Sequence, residues 1–381
     1  NHDLNPVPLP LDSKSEWEEH VNRRRNLYEN HLKIPTSLFK NKNIIEFGCN
    51  SGENALYLAH LGGKLTLVEP NEKVHPRLIK LFKRHDSEKS IVKLSSESIQ
   101  EYKSTEKYDF VVLEGFLDTL KGRDKILRSI CSLIKPGGFG IVTEDDRYGS
   151  FVECIKQITL RRICQLSGIS YHSENSFKIA VKLFGNEYDK LNTTRPILTW
   201  WKDAIVNPFN TGEFLWSFMD VISLIETENC EFWASSPIWS NVDSFQWYKN
   251  TQTIKERHLA LKENFNKIFP YFITGINNDL TGFSVPSIKL INNISLFIDE
   301  AGKYTTSTDP YYDLTLPTGL SELFRSANNK LFNLLSDDIE NMFITLAEND
   351  PEKILNTYSN TDILKSLWGN TMFYIAFKKN G

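Results

Sequence analysis

Cysteine, methionine, repeats and long apolar runs are all scarce in this sequence. Its five cysteines (Cys49, Cys131, Cys154, Cys164, Cys230) are odd in number and form no C-x-x-C pair. That argues against a disulfide framework and a zinc knuckle, and a reducing, cytoplasmic setting fits best. No apolar stretch approaches the roughly 20 residues that span a bilayer, and no signal-peptide pattern opens the sequence. Charge of one sign is lacking too: the formal net charge is -4, from 44 Lys and Arg against 48 Asp and Glu. A protein gripping a phosphate backbone would need a basic patch that this balance conceals. The densest basic cluster, Arg23 to Arg25, falls in a helical pattern and reads as a solvated face, so nucleic acid is not an expected partner.

What is present is ordinary globular material, 40% hydrophobic and 12% aromatic over 381 residues. That is enough for two folding units, or for one large domain with insertions. Residues 1–12 are Pro-rich and read as an arm, and residues 15–32 as an amphipathic helix with Trp17, Val21, Leu27 and Tyr28 as apolar positions. Strands and helices then alternate. Residues 43–47, 64–68, 91–94, 108–113 and 139–142 read as strands, with helical spacing between them and a turn at Lys135-Pro136-Gly137-Gly138. Such alternation implies a parallel sheet covered on both faces.

Beyond Glu144 the rhythm changes. Ser150 and Glu153 have capping-box spacing before a long helix, and another helix is expected from Asn210 with Trp216 among its apolar positions. Residues 231–234 read as a strand. The remainder looks mainly helical, ending in a strand over residues 371–378.

The sharpest local signal is Ile44-Ile45-Glu46-Phe47-Gly48-Cys49-Asn50-Ser51-Gly52, a strand running into glycines that open a helix. Glycine there lets the backbone turn tightly and bring its N–H groups close to a ligand. Glu69 follows at the end of the second strand, where a carboxylate can accept from both hydroxyls of a ribose. A dinucleotide would use similar architecture. However, G-x-G-x-x-G aligned on Gly48 needs glycine where Asn50 and Glu53 stand, which disfavours an NAD-type oxidoreductase.

In these motifs the sequence resembles the class I, seven-stranded S-adenosylmethionine (SAM)-dependent methyltransferases. Besides the glycine turn, the resemblance rests on three motifs: Val68-Glu69-Pro70-Asn71, residues 108–114 (Tyr-Asp-Phe-Val-Val-Leu-Glu), and Leu133-Ile134-Lys135-Pro136-Gly137-Gly138. It covers roughly the first 145 residues. It implies a Rossmann-like doubly wound, mostly parallel sheet with a helical insertion or C-terminal extension. Residues 13–234 would form the core and 235–370 a substrate-covering region. The last strand would come from residues 371–378, or from 245–248 with an appended C-terminal domain.

By the same resemblance, SAM's methionine part would lie over Gly48, Cys49, Asn50 and Gly52, with Glu46 beneath. Glu69 beside Pro70 would hold the ribose, while Glu97, Ser98 and Ile99 would meet adenine. Asn50 departs from the family's G-x-G-x-G. Glu114 and Gly115, which end the fourth strand near where an acceptor would face the methyl group, would also line the cofactor.

Methyl transfer is an in-line displacement that needs positioning and exclusion of water more than covalent help. An oxygen acceptor also needs a base, and Glu144, Asp145 and Asp146 are the carboxylates in reach. They could equally stabilise a following helix N-terminus. With no third ligand to place, no metal is expected. The Asn/Asp-Pro-Pro-Tyr/Phe and Pro-Cys motifs of nucleobase methylation are missing. Tyr148, Trp200, Trp201, Trp247 and Tyr248 are candidates to cover a small-molecule or saccharide-like acceptor. A non-catalytic scaffold on the same fold is the further alternative.

Overall fold

The computed structural model describes residues 11–117, 119–191, 196–239, 249, 251–276, 286–309, 312–327, 330–369 and 371–381. Internal contacts divide the chain into two compact units. The first comprises Asn1–Glu144, Phe218–Lys262 and Phe373–Gly381; the second comprises Asp145–Ser217 and Glu263–Met372.

The first unit holds the strands Asn43–Phe47 (β1), Lys64–Val68 (β2), Ile91–Ser95 (β3), Tyr108–Leu113 (β4), Ile134–Asp145 (β5), Cys230–Ser236 (β6) and Met372–Lys379 (β7), save the end residues Asp145 and Met372. They form one seven-stranded sheet of order β3-β2-β1-β4-β5-β7-β6. The first five strands pair in parallel, and β7 lies antiparallel to β6. Ile44, Ile45 and Phe47, Leu65, Leu67 and Val68, and Val111 to Leu113 are all buried, the near-continuous apolar runs of strands covered on both faces.

A dinucleotide-binding sheet is ordered 3-2-1-4-5-6; here β7 is inserted between β5 and β6. The strand at residues 371–378 is thus a member of the sheet, while residues 245–248 lie outside the described residues. Strand order reverses between β1 and β4, and in open sheets ligands bind beyond the carboxyl ends of strands at such a point. Gly48, Glu69 and Glu114 each follow one of those ends.

The N-terminal helix Lys14–Arg25 opens with a capping box between Ser13 and Glu16 and continues as π-helical turns over Asn26–His31. It seats Tyr28 against Phe39 at 5.1 Å, and the rings of Phe39, Phe110 and Phe139 stack in turn at 4.2 and 5.7 Å.

Three local expectations are corrected. Lys135 to Gly138 is not a free turn but a bulge within β5: the register passes from Tyr108↔Ile134 to Phe110↔Phe139, and Lys135 Nζ donates to Asp109 at 3.0 Å. Ser150 makes no capping box; its hydroxyl donates back to the Asp146 carbonyl, while Glu153 accepts from Trp200 Nε1. The helix expected from Asn210 starts only at Phe218. Gly212, at φ +55°, breaks it by packing so close to Gly302 that a Cβ on the latter would lie 2.5 Å from the Gly212 α-carbon. Trp216 bridges to Asp146 instead of joining that helix.

The second unit is helical, and the compact units do not follow the boundary at residue 234. Almost every side chain of the helix Phe151–Leu166 is buried. A helix buried all round needs partners on every side, and this one packs against Glu174–Tyr188, Ile288–Thr306 and Pro351–Ser359. Among the described residues no helix is long and apolar enough to cross a membrane.

Candidate cofactor-binding and active site

The turn after β1 is built from alternate left-handed residues: Gly48 at φ +66°, Asn50 at +47° and Gly52 at +88°. This accounts for Asn50 in the place of a middle glycine, because asparagine is among the few side chains that visit this region at modest cost. Gly48 is required for a second reason: a Cβ there would lie 2.2 Å from Phe116 Cε1. Gly48 N–H donates to the Val68 carbonyl at 2.8 Å, tying the turn to the end of β2. Gly52 leads into the helix Glu53–His60 with no side-chain cap.

Four acidic side chains, Glu46, Glu53, Glu69 and Glu114, gather around this turn. Glu69 is buried; Oε2 accepts from Asn50 N–H at 2.9 Å and Oε1 from Asn71 N–H at 2.8 Å. Glu53 accepts from Ser51 Oγ, with Arg77 at 3.7 Å. Glu114 receives both arms of the Arg24 guanidinium at 2.6 and 2.8 Å, Asn54 Nδ2 at 3.0 Å and the Tyr374 hydroxyl at 3.3 Å. Arg24 also donates to Tyr28. Burial would lower the Arg24 pKa, but Glu114 more than offsets this and holds it well above the usual range.

Glu46 is 3% exposed, and its Oε2 has no hydrogen-bond partner among the described residues. Burial, then the charge of Glu114, pushes its carboxyl up to about 8. Cys49 beside it is buried, and burial raises its thiol well above the ordinary value.

Pro70 and Glu97 are exposed, and Ile99 is half-buried. Glu97 accepts from Ser95 Oγ at 2.7 Å, and Ser98 pairs with Glu101 through its hydroxyl and its N–H. The Ser98 hydroxyl is therefore engaged in a local turn. Gly115, at φ +86°, has open space where a Cβ would stand, and Glu144 is buried at the end of β5.

Asp145, Asp146, Tyr148, Trp200 and Trp201 fall in the other unit. Asp146 is fully buried; its Oδ1 accepts from Gly149 N–H at 2.8 Å, which shapes the turn into the following helix. Tyr148 packs on Phe265 and Phe269. Trp200 is half-buried among Phe184, Tyr188 and Trp368. Trp201 is buried against Phe177. These aromatic rings pack the unit's interior. Trp247 and Tyr248 lie outside the described residues.

Arg24, Tyr28, Asn54 and Tyr374 were not read from the sequence as site residues. Arg24 corrects the solvated-face expectation for Arg23 to Arg25, since only the two flanking arginines are exposed. The signal that could have found it is the helical spacing of His20, Arg24 and Tyr28, one face of the helix, all buried.

Residues 18–191 match the family model described as a methyltransferase domain. Over that stretch the chain is similar to methyltransferase domains. Thiol S-methyltransferase TMT1A of Homo sapiens is 27% identical over 123 residues, 32% of this chain and 49% of the relative. The chain thus spans about half the length of that curated relative.

Among solved structures, PKMT2 from Rickettsia typhi in complex with AdoHcy is 17% identical, covering 64% of this chain and 49% of its own, with a TM-score of 0.42. The N-methyltransferase NodS from Bradyrhizobium japonicum WM9, in complex with S-adenosyl-L-homocysteine, is 20% identical, covering 38% and 69%, with a TM-score of 0.29. Scores of this size leave the fold to be judged on the strand order of the methyltransferase domain itself.

Proposed function

We propose that the protein transfers the methyl group of SAM to an oxygen or nitrogen atom of a small-molecule acceptor. The observation that carries the cofactor half is the β1 turn, whose left-handed Gly48, Asn50 and Gly52 are tied to Glu69 at the end of β2. The residues suit this cofactor. The glycines leave the backbone open to close approach, Glu69 keeps lone pairs for ribose hydroxyls, and Glu46 offers an unpartnered carboxylate oxygen. When bound, SAM supplies an electrophilic methyl on a sulfonium.

The chain's own residues bind and orient; for an oxygen acceptor one of them must also take a proton. Of the three carboxylates at the end of β5 and just beyond it, Glu144 and Asp146 are fully buried and Asp145 is half-exposed. Asp145 is the base in this reading. The saccharide-like acceptor rested on aromatic faces, and Trp200 and Trp201 use theirs in packing. A small organic acceptor is therefore preferred. A thiol acceptor is the second reading, favoured by the name of the human relative.

The test is calorimetric titration with SAM, followed by methyl-transfer assays on phenol, amine, thiol and saccharide panels. Glu69→Ala should weaken SAM binding at least tenfold, about 1.4 kcal/mol or more for charge-assisted bonds to hydroxyls. Unchanged affinity would remove Glu69 from the site. Asp145→Asn should lower kcat on a hydroxyl acceptor and spare a thiol.

A further inference from the structure

The carboxylates around the β1 turn do not balance. Arg24 is committed to Glu114, Arg77 stands near Glu53, and Glu69 is held by two backbone N–H groups. Glu46 is left with a buried oxygen that no group among the described residues satisfies. A buried, unpartnered carboxylate is costly in its charged form, and such a group neutralises itself by keeping a proton. The groups that face it are carried by every surrounding element. Arg24 and Tyr28 come from the N-terminal helix, Cys49 from the turn and Glu53 from the helix after it. Glu69 follows β2, Glu114 follows β4, and Tyr374 on β7 acts through Glu114. Arg24 is the one cation among them, and its charge is already answered.

The two ligands of a methyltransferase differ in charge. The donor carries a sulfonium, an ammonium and a carboxylate, net +1. The thioether product has lost the sulfonium charge and is net neutral. Resting on the reading that SAM binds over this turn, we propose that Glu46 is a proton-coupled sensor of cofactor charge. It holds a proton in the empty site, gives it up to solvent when the cationic donor binds, and keeps more of it when the product is bound. The O–H bond of the carboxyl breaks, the electron pair stays on Glu46, and the proton passes to buffer. Donor affinity then rises with pH while product affinity rises less, so a more basic solution favours donor over product.

The experiment is titration calorimetry of the full chain with SAM, and separately with S-adenosylhomocysteine, near pH 7 in buffers of different ionisation enthalpy. With the carboxyl at about 8 in the empty site and ionised in the complex, SAM should release about 0.9 proton at pH 7, and its affinity should rise about fivefold from pH 7 to 8 and close to tenfold per unit below pH 7. S-adenosylhomocysteine should release clearly fewer. Glu46→Gln should bind SAM with no release and no pH dependence. If that variant does not fold, the buffer series on the unaltered protein decides alone. SAM binding without proton release, or equal release with both ligands, overturns the proposal while leaving the proposed function standing. Absence of SAM binding overturns that function and this coupling with it.

Discussion

Replacing Arg24 by methionine keeps the length and apolar stem of the side chain and removes its charge, isolating the buried ion pair beneath the glycine turn. Arg24 and Glu114 have side chains only 7% and 6% exposed, so water cannot replace the lost partner. Breaking a buried pair on one side costs about 3–5 kcal/mol. Asn54 and Tyr374 remain on Glu114 and soften the loss, while the bond to Tyr28 disappears, worth about 1 kcal/mol. The expected cost is about 3 kcal/mol.

Adding Glu114→Gln removes the stranded charge, so the double variant should lose no more than the single one, with a coupling of about 1–3 kcal/mol in the double-mutant cycle. A chain of two compact units need not unfold in one step. The assay is therefore hydrogen exchange of the β1 and β4 amides, which reads local opening free energy. Arg23→Met on the exposed neighbouring position is the control. If Arg24→Met costs no more than that control, within about 0.5 kcal/mol, the ion pair does not hold the turn to the sheet.

Gly48→Ala adds a left-handed strain of about 1–2 kcal/mol to the collision with Phe116. Calorimetry should find SAM affinity reduced at least tenfold, and Phe116→Ala should restore only part of the stability. Because burial raises the Glu46 carboxyl to about 8, the folded state holds a proton that the unfolded state releases near its ordinary value. Glu46 therefore makes stability fall as pH rises from about 4.5 to 8, by at most about 1.4 kcal/mol per unit. His20 works the other way: burial lowers it to about 4, so its contribution is lost as pH falls from about 6.5 towards 4. Burial also lowers Lys156, in the second unit, to about 7, so the readout is hydrogen exchange of the β1 amides: Glu46→Gln should remove the fall in their local stability between about pH 7 and 8, above most of the His20 titration. All five cysteines are buried, so a thiol reagent should label them slowly in native protein and completely in denaturant.

The sheet was legible because its strands are buried runs whose pattern needs no partner to be read. Residues 43–47, 64–68 and 108–113 coincide with β1, β2 and β4 residue for residue. The glycine turn was legible for a related reason: three residues with positive φ leave a mark in residue type. The bulge in β5 was not. Pro136-Gly137-Gly138 carries the composition of a turn, and only the neighbouring strand keeps it extended. The boundary of the second unit was equally hidden, since two of the three helices packed on Phe151–Leu166 lie more than 100 residues further on, in Ile288–Thr306 and Pro351–Ser359.

The site's charges were half legible, and the missing half shows what a motif omits. Glu46, Glu69 and Glu114 end their strands and can be found by counting along the chain. The groups that bind Glu114 come from elsewhere: Arg24 before the sheet begins, Asn54 within the following helix and Tyr374 near the C-terminus. No local window contains both Glu114 and Arg24, 90 residues apart, and an arginine between two exposed arginines reads as solvent-facing. Yet this guanidinium decides which carboxylate is answered and which is left to the ligand. Had Arg24 paired with Glu46 instead, Glu114 would be the carboxylate lacking a cation and the electrostatic demand would lie at the end of β4. The acids mark where a cation can bind, and the distant arginine selects which one receives it.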